Sequence, residues 1–114
     1  ATRAMPGQPV LVPGDMGTGS WLLEGLEGNR AFSSSCHGAG RVLSRSQAKK
    51  QIDGKALKRE LESRGIRVHA NTPNIMSEEA PDAYKDVDEV IELSNSAGLA
   101  KPIARMMPLA VIKG

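Results

Sequence analysis

Residues 33–41 hold the strongest candidate for chemistry in this chain, a histidine set among small residues. His37 is followed by Gly38, two further small residues and the cation Arg41. Small neighbours leave the imidazole and the backbone N–H groups open to a ligand, and a following helix start would add the positive end of its dipole. A nucleophile or acid beside an anion cradle suits phosphate chemistry. The competing interpretation is a glycine-rich turn whose histidine has no role.

Cations follow the histidine at a regular spacing. Arg41, Arg45 and Lys49 recur at intervals of four. On a helix this spacing places side chains on one face. We therefore predict a helix over 41–51 whose basic face would extend the positive potential away from His37 and suit phosphate groups. The net charge of +2 is too small to establish nucleic-acid binding by itself.

Two other features were weighed for chemistry. Residues 14–20 form a second small-residue loop, but they lack the glycine spacing of a dinucleotide site, and no phosphate-binding loop with Gly-Lys-Ser/Thr is present. Cys36 precedes His37 directly. Adjacent residues on an extended chain point to opposite sides, so we predict that Cys36 is a small buried residue and not a catalytic thiol.

The elements that must position these residues are short. Apolar runs predict strands at 10–12, 21–23 and 31–32, alternation predicts one at 66–69, and a closing edge strand is expected over 106–112. Helices are predicted over 55–64, capped by Asp53, and over 86–97, where Asp86 and Glu89 resemble a capping box. Pro73 and Pro81 are expected to interrupt regular secondary structure in the stretch before the helix at 86–97. Strands and short helices together indicate an α+β fold with a mixed sheet.

Length and composition limit the classes of protein. The 114 residues suit a single segment of one domain, and only three of them are aromatic. No apolar run is long enough for a membrane span, and no signal peptide is recognisable. One cysteine cannot form an internal disulfide, so we expect a reducing, cytoplasmic setting. The start at Ala1 leads us to expect a piece of a longer chain.

Several stretches resemble, in order, the RtcB family of RNA-splicing ligases. Residues 35–41, Ser-Cys-His-Gly-Ala-Gly-Arg, are similar to the signature of that family. Two other stretches match the same family: Pro-Gly-Asp-Met-Gly-Thr at 13–18, before the signature, and Glu-Glu-Ala-Pro at 78–81, after it. Tyr84 matches as well. The ending Val-Ile-Lys-Gly at 111–114 also matches. The resemblance covers the whole chain and implies the C-terminal portion of the ligase fold.

The resemblance implies a reaction. Ligases of this family join an RNA 3′-phosphate or 2′,3′-cyclic phosphate to a 5′-hydroxyl, using GTP and Mn²⁺. His37 would attack the α-phosphate of GTP and carry GMP before it passes to the RNA. A neutral imidazole is nucleophilic near neutral pH, so the residue suits this role.

Further roles are implied position by position. Asp15 stands where the family commonly has Ser, and a carboxylate there could accept hydrogen bonds from guanine. Arg41 and Arg45 are candidates for RNA or nucleotide phosphates. The predicted nucleotide-binding residues are Asp15, Ser20, Ala39 and Gly40 (beside the ribose), and Tyr84 and Lys113 (beside the guanine).

The resemblance also implies what this segment lacks. The family's Mn²⁺ ligands are an Asp, a Cys and several His residues upstream of the matching part, so no metal ligand is predicted here. Expected partners are RNA (tRNA halves or broken RNA ends), GTP, the missing N-terminal part and an activating protein of the archease type, with no membrane. Two alternatives remain open: a non-catalytic guanine-nucleotide- or RNA-binding fragment, and a folded remnant without a ligand.

Overall fold

Seven short strands and four α-helices make up the chain, and the computed structural model describes all 114 residues. The strands are β1 (Thr2–Arg3), β2 (Pro9–Val12), β3 (Ser20–Gly25), β4 (Ser34–Ser35), β5 (Arg67–Ala70), β6 (Ala100–Met106) and β7 (Ala110–Lys113). The helices are α1 (Arg45–Gln51), α2 (Gly54–Ser63), α3 (Pro73–Glu78) and α4 (Val87–Ser96), with a 3-10 turn at Pro81–Ala83. No helix has the length and apolar character needed to cross a membrane.

The elements divide between two compact units. The first unit comprises residues 1–14, 19–39 and 86–107, and the second comprises residues 15–18, 40–85 and 108–114. The α+β class is confirmed, but the strands form three separate small sheets and not one mixed sheet. The pairings β1–β4 and β2–β3–β6 are antiparallel and lie in the first unit, whereas the parallel pair β5–β7 lies in the second.

The first unit is built on the antiparallel sheet β2–β3–β6. Alternation along β2 buries Val10 and Val12 while Leu11 is exposed, as expected for a sheet with one covered face. On the covered face, Leu23 of β3 belongs to a buried cluster with Val87 and Ile91 of α4. Burial of these apolar side chains is the main contribution to the stability of this unit.

One polar connection ties α4 to the same sheet. The indole N–H of Trp21 donates to Asp88 Oδ1 at 2.8 Å, and Arg105 forms an ion pair with Asp88 at 3.3 Å. Trp21 and Arg105 are register partners on β3 and β6, so a single helical carboxylate holds two neighbouring strands. Asp86 caps the helix by accepting from the Asp88 N–H.

In the second unit, α2 and α3 pack against β5 of the parallel pair β5–β7, and α1 packs against α3. Its core contains Met16, Leu61 and Met76, with Val111 of β7. Asp53 accepts from the first N–H groups of α2, which confirms the predicted cap. The buried first residue of α2 is a glycine because a Cβ at Gly54 would lie 2.0 Å from a backbone oxygen of α3.

The structure corrects three local expectations. The strand expected at 31–32 is a turn, because the following residues, Ser34 and Ser35, pair with β1 instead. Pro73 begins α3 and Pro81 begins the 3-10 turn, since proline lacks only an N–H that is unpaired at the first helical position. The closing strand over 106–112 is divided into β6 and β7 on either side of Pro108.

The other predicted elements are present with shifted ends. The strands expected at 10–12, 21–23 and 66–69 are β2, β3 and β5, and the helices expected over 55–64 and 86–97 are α2 and α4. The helix predicted from residue 41 begins only at Arg45. Ser44 caps it with a full capping box, in which its hydroxyl accepts from the Gln47 N–H and the Gln47 side chain accepts from the Ser44 N–H.

Candidate functional site

His37 lies two residues after the end of β4, and this short strand is fixed from two sides. Its residues pair with β1, where Thr2 faces Ser35. The turn before it is held by Asn29, whose side-chain amide donates to the Ser34 carbonyl at 2.9 Å and whose oxygen accepts from the Ala31 N–H at 2.7 Å. A residue following such a braced strand keeps a defined position.

The turn before β4 also contains backbone strain. Phe32 and Ser33 have positive φ angles of 54° and 53°. Non-glycine residues adopt this region at a cost, which surrounding interactions must offset. The Ser33 carbonyl accepts from the Ala4 N–H at 2.7 Å, and the Ser34 hydroxyl donates to the Ala31 carbonyl at 2.6 Å. Strain of this kind is often found near functional sites, and here it precedes His37.

Cys36 and His37 have different surroundings, and Cys36 is half-buried where the sequence predicts a buried residue. Cys36 packs against the core of the first unit, and its sulfur accepts from the Ser94 hydroxyl at 3.3 Å. His37 is exposed. The thiol is therefore engaged with the interior, and the geometry offers no Cys–His catalytic pair.

The imidazole of His37 is free to react on one side. Its Nδ1 lies 3.1 Å from the Ala1 amino group, whereas its Nε2 has no hydrogen-bond partner within the chain. The N–H groups of Gly38 and Ala39 likewise donate to no acceptor of the chain. A Cβ built on Gly38 would meet nothing within 4 Å. An exposed imidazole is thus followed by two backbone N–H groups that have no acceptor within the chain.

A polar cluster in the second unit contains two further predicted residues, Arg41 and Tyr84. The two residues form an isolated antiparallel bridge, and the Lys85 N–H donates to the Gly40 carbonyl at 2.9 Å. The Arg41 Nη1 donates to the Tyr84 hydroxyl at 2.9 Å, and its guanidinium carbon lies 4.7 Å from the centroid of the Tyr84 ring. Arg41 also donates to the carbonyls of Leu43 and Glu78.

Glu79, which the sequence did not single out, is the anion at the centre of this cluster. Its carboxylate accepts from the Tyr84 hydroxyl and lies 3.6 Å from Arg41 Nη1 and 3.5 Å from Arg45 Nε. Lys49 pairs with the neighbouring Glu78 at 3.3 Å. The three cations predicted to form a free basic face are therefore all paired with carboxylates of their own unit. Because Arg41 precedes α1, it does not share a helical face with the other two.

The cluster shifts the pKa values of both of its central acids. Burial raises the pKa of Glu79, but the Tyr84 hydrogen bond and the charges of Lys113, Arg41 and Arg45 outweigh it, so the pKa lies below the ordinary 4.5. Burial is the largest cause that raises the pKa of Tyr84, and the hydrogen bond to the Glu79 carboxylate raises it further. The pKa of Tyr84 therefore lies above 10.0, although Arg41 acts to lower it.

The lowered pKa of Glu79 predicts an acid-dependent loss of stability. Below the ordinary value of 4.5 the unfolded chain binds more protons than the folded chain, so the stabilisation is present above that pH and disappears as pH falls through the folded pKa. We expect the free energy of unfolding in urea to fall over this range, and to fall less in Glu79→Gln. Equal acid dependence in Glu79→Gln and the wild type would contradict the assignment.

Asp15 organises its own loop. Its Oδ1 accepts from the N–H groups of Gly17 and Thr18, both at 2.9 Å, and Arg64 donates to the Gly17 carbonyl at 2.7 Å. Gly17 and Thr18 also line a cleft of about 470 Å³ beside α2. Because one carboxylate oxygen is occupied in the loop, only Oδ2 is left for the predicted contact with guanine.

Removing the Asp15 carboxylate should loosen this loop. Asp15→Ala leaves two backbone donors without their acceptor, and we expect a loss of about 1–2 kcal/mol in the free energy of unfolding. Asp15→Asn keeps an oxygen acceptor and Asp15→Ser offers a shorter one, so both should cost less. Urea unfolding followed by circular dichroism measures the series. An alanine variant as stable as the wild type would show that these hydrogen bonds do not hold the loop.

The remaining predicted residues have fixed surroundings. The Ser20 hydroxyl accepts from the Gly14 N–H at 3.0 Å within the first unit. Lys113 is the last residue of β7, where it is the register partner of Ala70, and its carbonyl accepts from Asn71 at 3.2 Å. Parallel pairing with β5 therefore anchors a lysine that sequence alone would leave as a solvated tail.

The structure thus brings some predicted residues together and leaves others in separate surroundings. Tyr84, Arg41, Arg45 and Lys113 gather around Glu79 in the second unit, which also contains Asp15 and Gly40. His37, Ala39 and Ser20 belong to the first unit. No group of three or more His, Cys, Asp or Glu side chains is arranged to hold a metal ion.

Comparison with known proteins identifies the class. The family model described as tRNA-splicing ligase RtcB matches residues 1–114, the whole chain. The chain belongs to the RtcB family.

Its relatives carry the same name. The chain is 54% identical over 114 residues to the RNA-splicing ligase RtcB of Mycobacterium tuberculosis. It is 49% identical over 129 residues to each of the tRNA-splicing ligases RtcB of Pyrococcus horikoshii and Thermococcus kodakarensis. These alignments use the whole of this chain but only 26%, 15% and 27% of the three relatives, so the chain spans about a quarter of their length or less.

Proposed function

We propose that the chain carries the nucleotide-accepting histidine of an RNA ligase that joins 3′-phosphate or 2′,3′-cyclic phosphate ends to 5′-hydroxyl ends with GTP. The observation that carries the proposal is the exposed imidazole of His37, followed along the chain by the N–H groups of Gly38 and Ala39, which donate to no acceptor of the chain. Membership of the RtcB family supports it, because the relatives are named RNA-splicing or tRNA-splicing ligases.

The donor set suits a nucleotide triphosphate. Two consecutive backbone N–H groups without acceptors are available to donate to an anion, and open space at Gly38 allows close approach. In the second unit, Tyr84 offers an aromatic ring and Lys113 a cation that donates but does not accept hydrogen bonds. Guanine presents acceptors at O6 and N7, so a lysine beside it favours this base.

The reaction proceeds by two transfers of GMP. The unprotonated ring nitrogen of a neutral His37 forms a bond to the α-phosphorus of GTP while the bond from that phosphorus to pyrophosphate breaks, and the backbone N–H groups of Gly38 and Ala39 stabilise the charge on the phosphoryl oxygens. The RNA 3′-phosphate then takes GMP from the histidine nitrogen. Finally the 5′-hydroxyl attacks the activated 3′-phosphate, GMP leaves, and a phosphodiester bond joins the two ends.

The arginines are proposed to hold RNA or nucleotide phosphates by exchanging partners. Arg45 is 65% exposed, and its ion pair with Glu79 spans 3.5 Å. An exposed pair of this kind contributes little stability, so a phosphate can replace the carboxylate at small cost. Arg41 is more enclosed, with 21% of its side chain exposed and carbonyl oxygens as further acceptors. We therefore assign the more direct phosphate contact to Arg45.

The remaining parts of the proposal concern what lies beyond these residues. This chain would form the C-terminal part of the ligase fold. The family reaction is proposed to use Mn²⁺, but the residues present do not form a metal site, so no step is derived through it. The proposed substrates are RNA ends such as tRNA halves, and the proposed partner is an activating protein of the archease type. The proposed setting is cytoplasmic.

The experiment that tests the proposal uses a chimaeric ligase, in which this chain replaces the 114 matched residues of the M. tuberculosis relative. It is incubated with Mn²⁺ and with GTP labelled on either the α- or the γ-phosphorus, beside the chain alone. We expect the α-label on the protein and no γ-label, because pyrophosphate leaves. Absence of α-label, in a chimaera that is folded, would contradict the proposal.

A binding module without transfer is the second candidate. It is favoured by one observation, that Arg45 is 65% exposed and therefore accessible to a phosphate whether or not a transfer follows. This function predicts retention of GMP or RNA that weakens with salt, and no covalent label. The labelling experiment therefore separates the two functions.

A further inference from the structure

Glu79 has a fixed backbone and a sheltered side chain. It is the C-terminal cap of α3, where its N–H donates to the Ile75 carbonyl, and the next residue, Ala80, is fully buried. Only 19% of the Glu79 side chain is exposed. A carboxylate held in this way has a defined orientation. It therefore fixes the positions of the groups that bind to it.

The contacts of Glu79 determine what Tyr84 can offer a ligand. The Tyr84 hydroxyl donates to Glu79 and accepts from Arg41 at 2.9 Å. A phenol has one proton to donate, and here that proton is used within the chain. The ring is also fixed, because the Arg41 guanidinium lies 4.7 Å from its centroid. Tyr84 can thus meet a base with its ring, and its hydroxyl cannot serve as a donor without leaving Glu79.

The same carboxylate attracts Lys113. The lysine charge acts on Glu79 strongly enough to lower the pKa of that carboxyl, more than the charge of either arginine does. Lys113 stands on β7, far along the chain from both α3 and Tyr84. One carboxylate therefore binds the Tyr84 hydroxyl directly and acts on Lys113 only through its charge; these are the ring and the cation that the proposed function assigns to the guanine.

We propose that Glu79 is the positioning residue for guanine recognition: it binds the Tyr84 hydroxyl directly, and its negative charge attracts the Lys113 ammonium, so that ring and cation meet the base together. This inference rests on the proposed function and deepens it. Glu79 acts through its two partners and does not itself touch the nucleotide. A positioned ammonium discriminates guanine, with an acceptor at O6, from adenine, with an amino group in its place.

The first test measures the interaction of Glu79 with the Tyr84 hydroxyl directly, in this chain. Tyr84 is the only tyrosine, so its ionisation can be followed by ultraviolet absorbance without interference from other phenols. In Glu79→Gln the negative charge is lost, and we expect the midpoint to shift to lower pH. Glu62→Gln, an exposed carboxylate of α2 with no ion pair, is the matched control and should leave the midpoint unchanged. An unchanged midpoint in a folded Glu79→Gln would overturn the inference.

The second test measures nucleotide recognition in the chimaeric ligase. GMP and AMP are used as probes because neither carries the pyrophosphate needed for transfer. We expect Glu79→Gln to weaken the binding of GMP about tenfold, which corresponds to a loss of about 1.4 kcal/mol in binding free energy. The affinity for AMP should change much less. A residue of only structural importance would weaken both nucleotides alike. Glu62→Gln should preserve both affinities.

A double-mutant cycle shows whether Glu79 acts through Tyr84. Tyr84→Phe keeps the ring and removes the hydroxyl, so it should also weaken GMP. If Glu79 positions this hydroxyl, the double variant Glu79→Gln/Tyr84→Phe loses clearly less than the product of the two single losses. Full additivity would overturn the inference even if one single variant proved unstable.

The outcomes separate this inference from the proposed function. Wild-type binding of GMP, with the same affinity and the same preference over AMP in Glu79→Gln, overturns the role of Glu79 alone. A wild-type chimaera that binds no GMP contradicts the proposed function and, with it, this role. Selective loss of GMP, a shifted Tyr84 midpoint and non-additivity together support both.

Discussion

Replacing His37 by alanine is expected to abolish transfer of the α-label from GTP to the chimaeric ligase. Alanine has no nitrogen lone pair to attack phosphorus, and loss of a covalent nucleophile reduces a rate by a factor of roughly 10³ or more. His37 is exposed and its Nε2 binds nothing in the chain, so the free energy of unfolding should change by less than about 0.5 kcal/mol. Labelling is measured as the initial rate of protein-bound label.

The chain offers a matched control for this substitution. His69 is the only other histidine, and it is exposed on β5, where it is the register partner of Ile112. His69→Ala should label at the wild-type rate. Binding of GMP should survive in His37→Ala, because the proposed contacts with the base lie elsewhere. A His37→Ala chimaera that labels at the rate of His69→Ala would remove His37 from the reaction.

The second large effect concerns stability, at the contact between α2 and α3. A Cβ at Gly54 would lie 2.0 Å from the Pro73 carbonyl oxygen and 2.9 Å from the Ser77 hydroxyl. Backbone does not yield as a flexible side chain does, so Gly54→Ala must separate the two helices. We expect a loss of about 3 kcal/mol or more in the free energy of unfolding. Urea unfolding followed by helical circular dichroism measures it.

The next residue of the same helix supplies the comparison. Lys55 is exposed, so Lys55→Ala removes a side chain without changing the packing, and its effect should stay within about 0.5 kcal/mol. The Ser77 hydroxyl also donates to the carbonyl of Ile52, which lies before α2, and this bond should be lost when the helices separate. A Gly54→Ala variant as stable as Lys55→Ala would mean that the contact adjusts easily.

Elements with local signals were predictable from the sequence. Val87, Ile91 and Ser94 of α4 are buried, as the helical spacing indicates. The caps Asp53 and Asp86 both accept from N–H groups in the first turn. These signals are local because a cap and an apolar stripe depend on residues within one or two turns. The proposed capping box at Glu89 did not form, and Asp86 bonds to Asp88 instead.

Features that depend on distant partners were not predictable. The parallel pairing of β5 with β7 joins Val68 to Val111 across the sequence, and neither run indicates its partner. Pro73 was expected to break the chain, yet it begins a helix because Thr72 caps it by accepting from Ile75. Two-residue strands such as β4 carry no periodicity at all.

The candidate site shows the same division. The different surroundings of Cys36 and His37 follow from the geometry of an extended chain, so they could be predicted. The pairing of Arg45 with Glu79 could not, because helical spacing gives the face of a residue and not the acids that another element brings to it. No local sequence pattern marks Glu79 as the centre of a cluster, because its partners come from separate elements. Its only mark in the sequence is that it lies in the 78–81 stretch, which matches the RtcB family.

The most direct test of the central claim is peptide mass analysis of the chimaeric ligase after reaction with GTP and Mn²⁺. The account predicts that the peptide containing His37 gains the mass of one GMP group, and that mild acid removes it, because a phosphorus–nitrogen bond to imidazole is acid-labile. Fragmentation should place the group on the histidine. A GMP group found reproducibly on another residue, with His37 unmodified, would contradict the account.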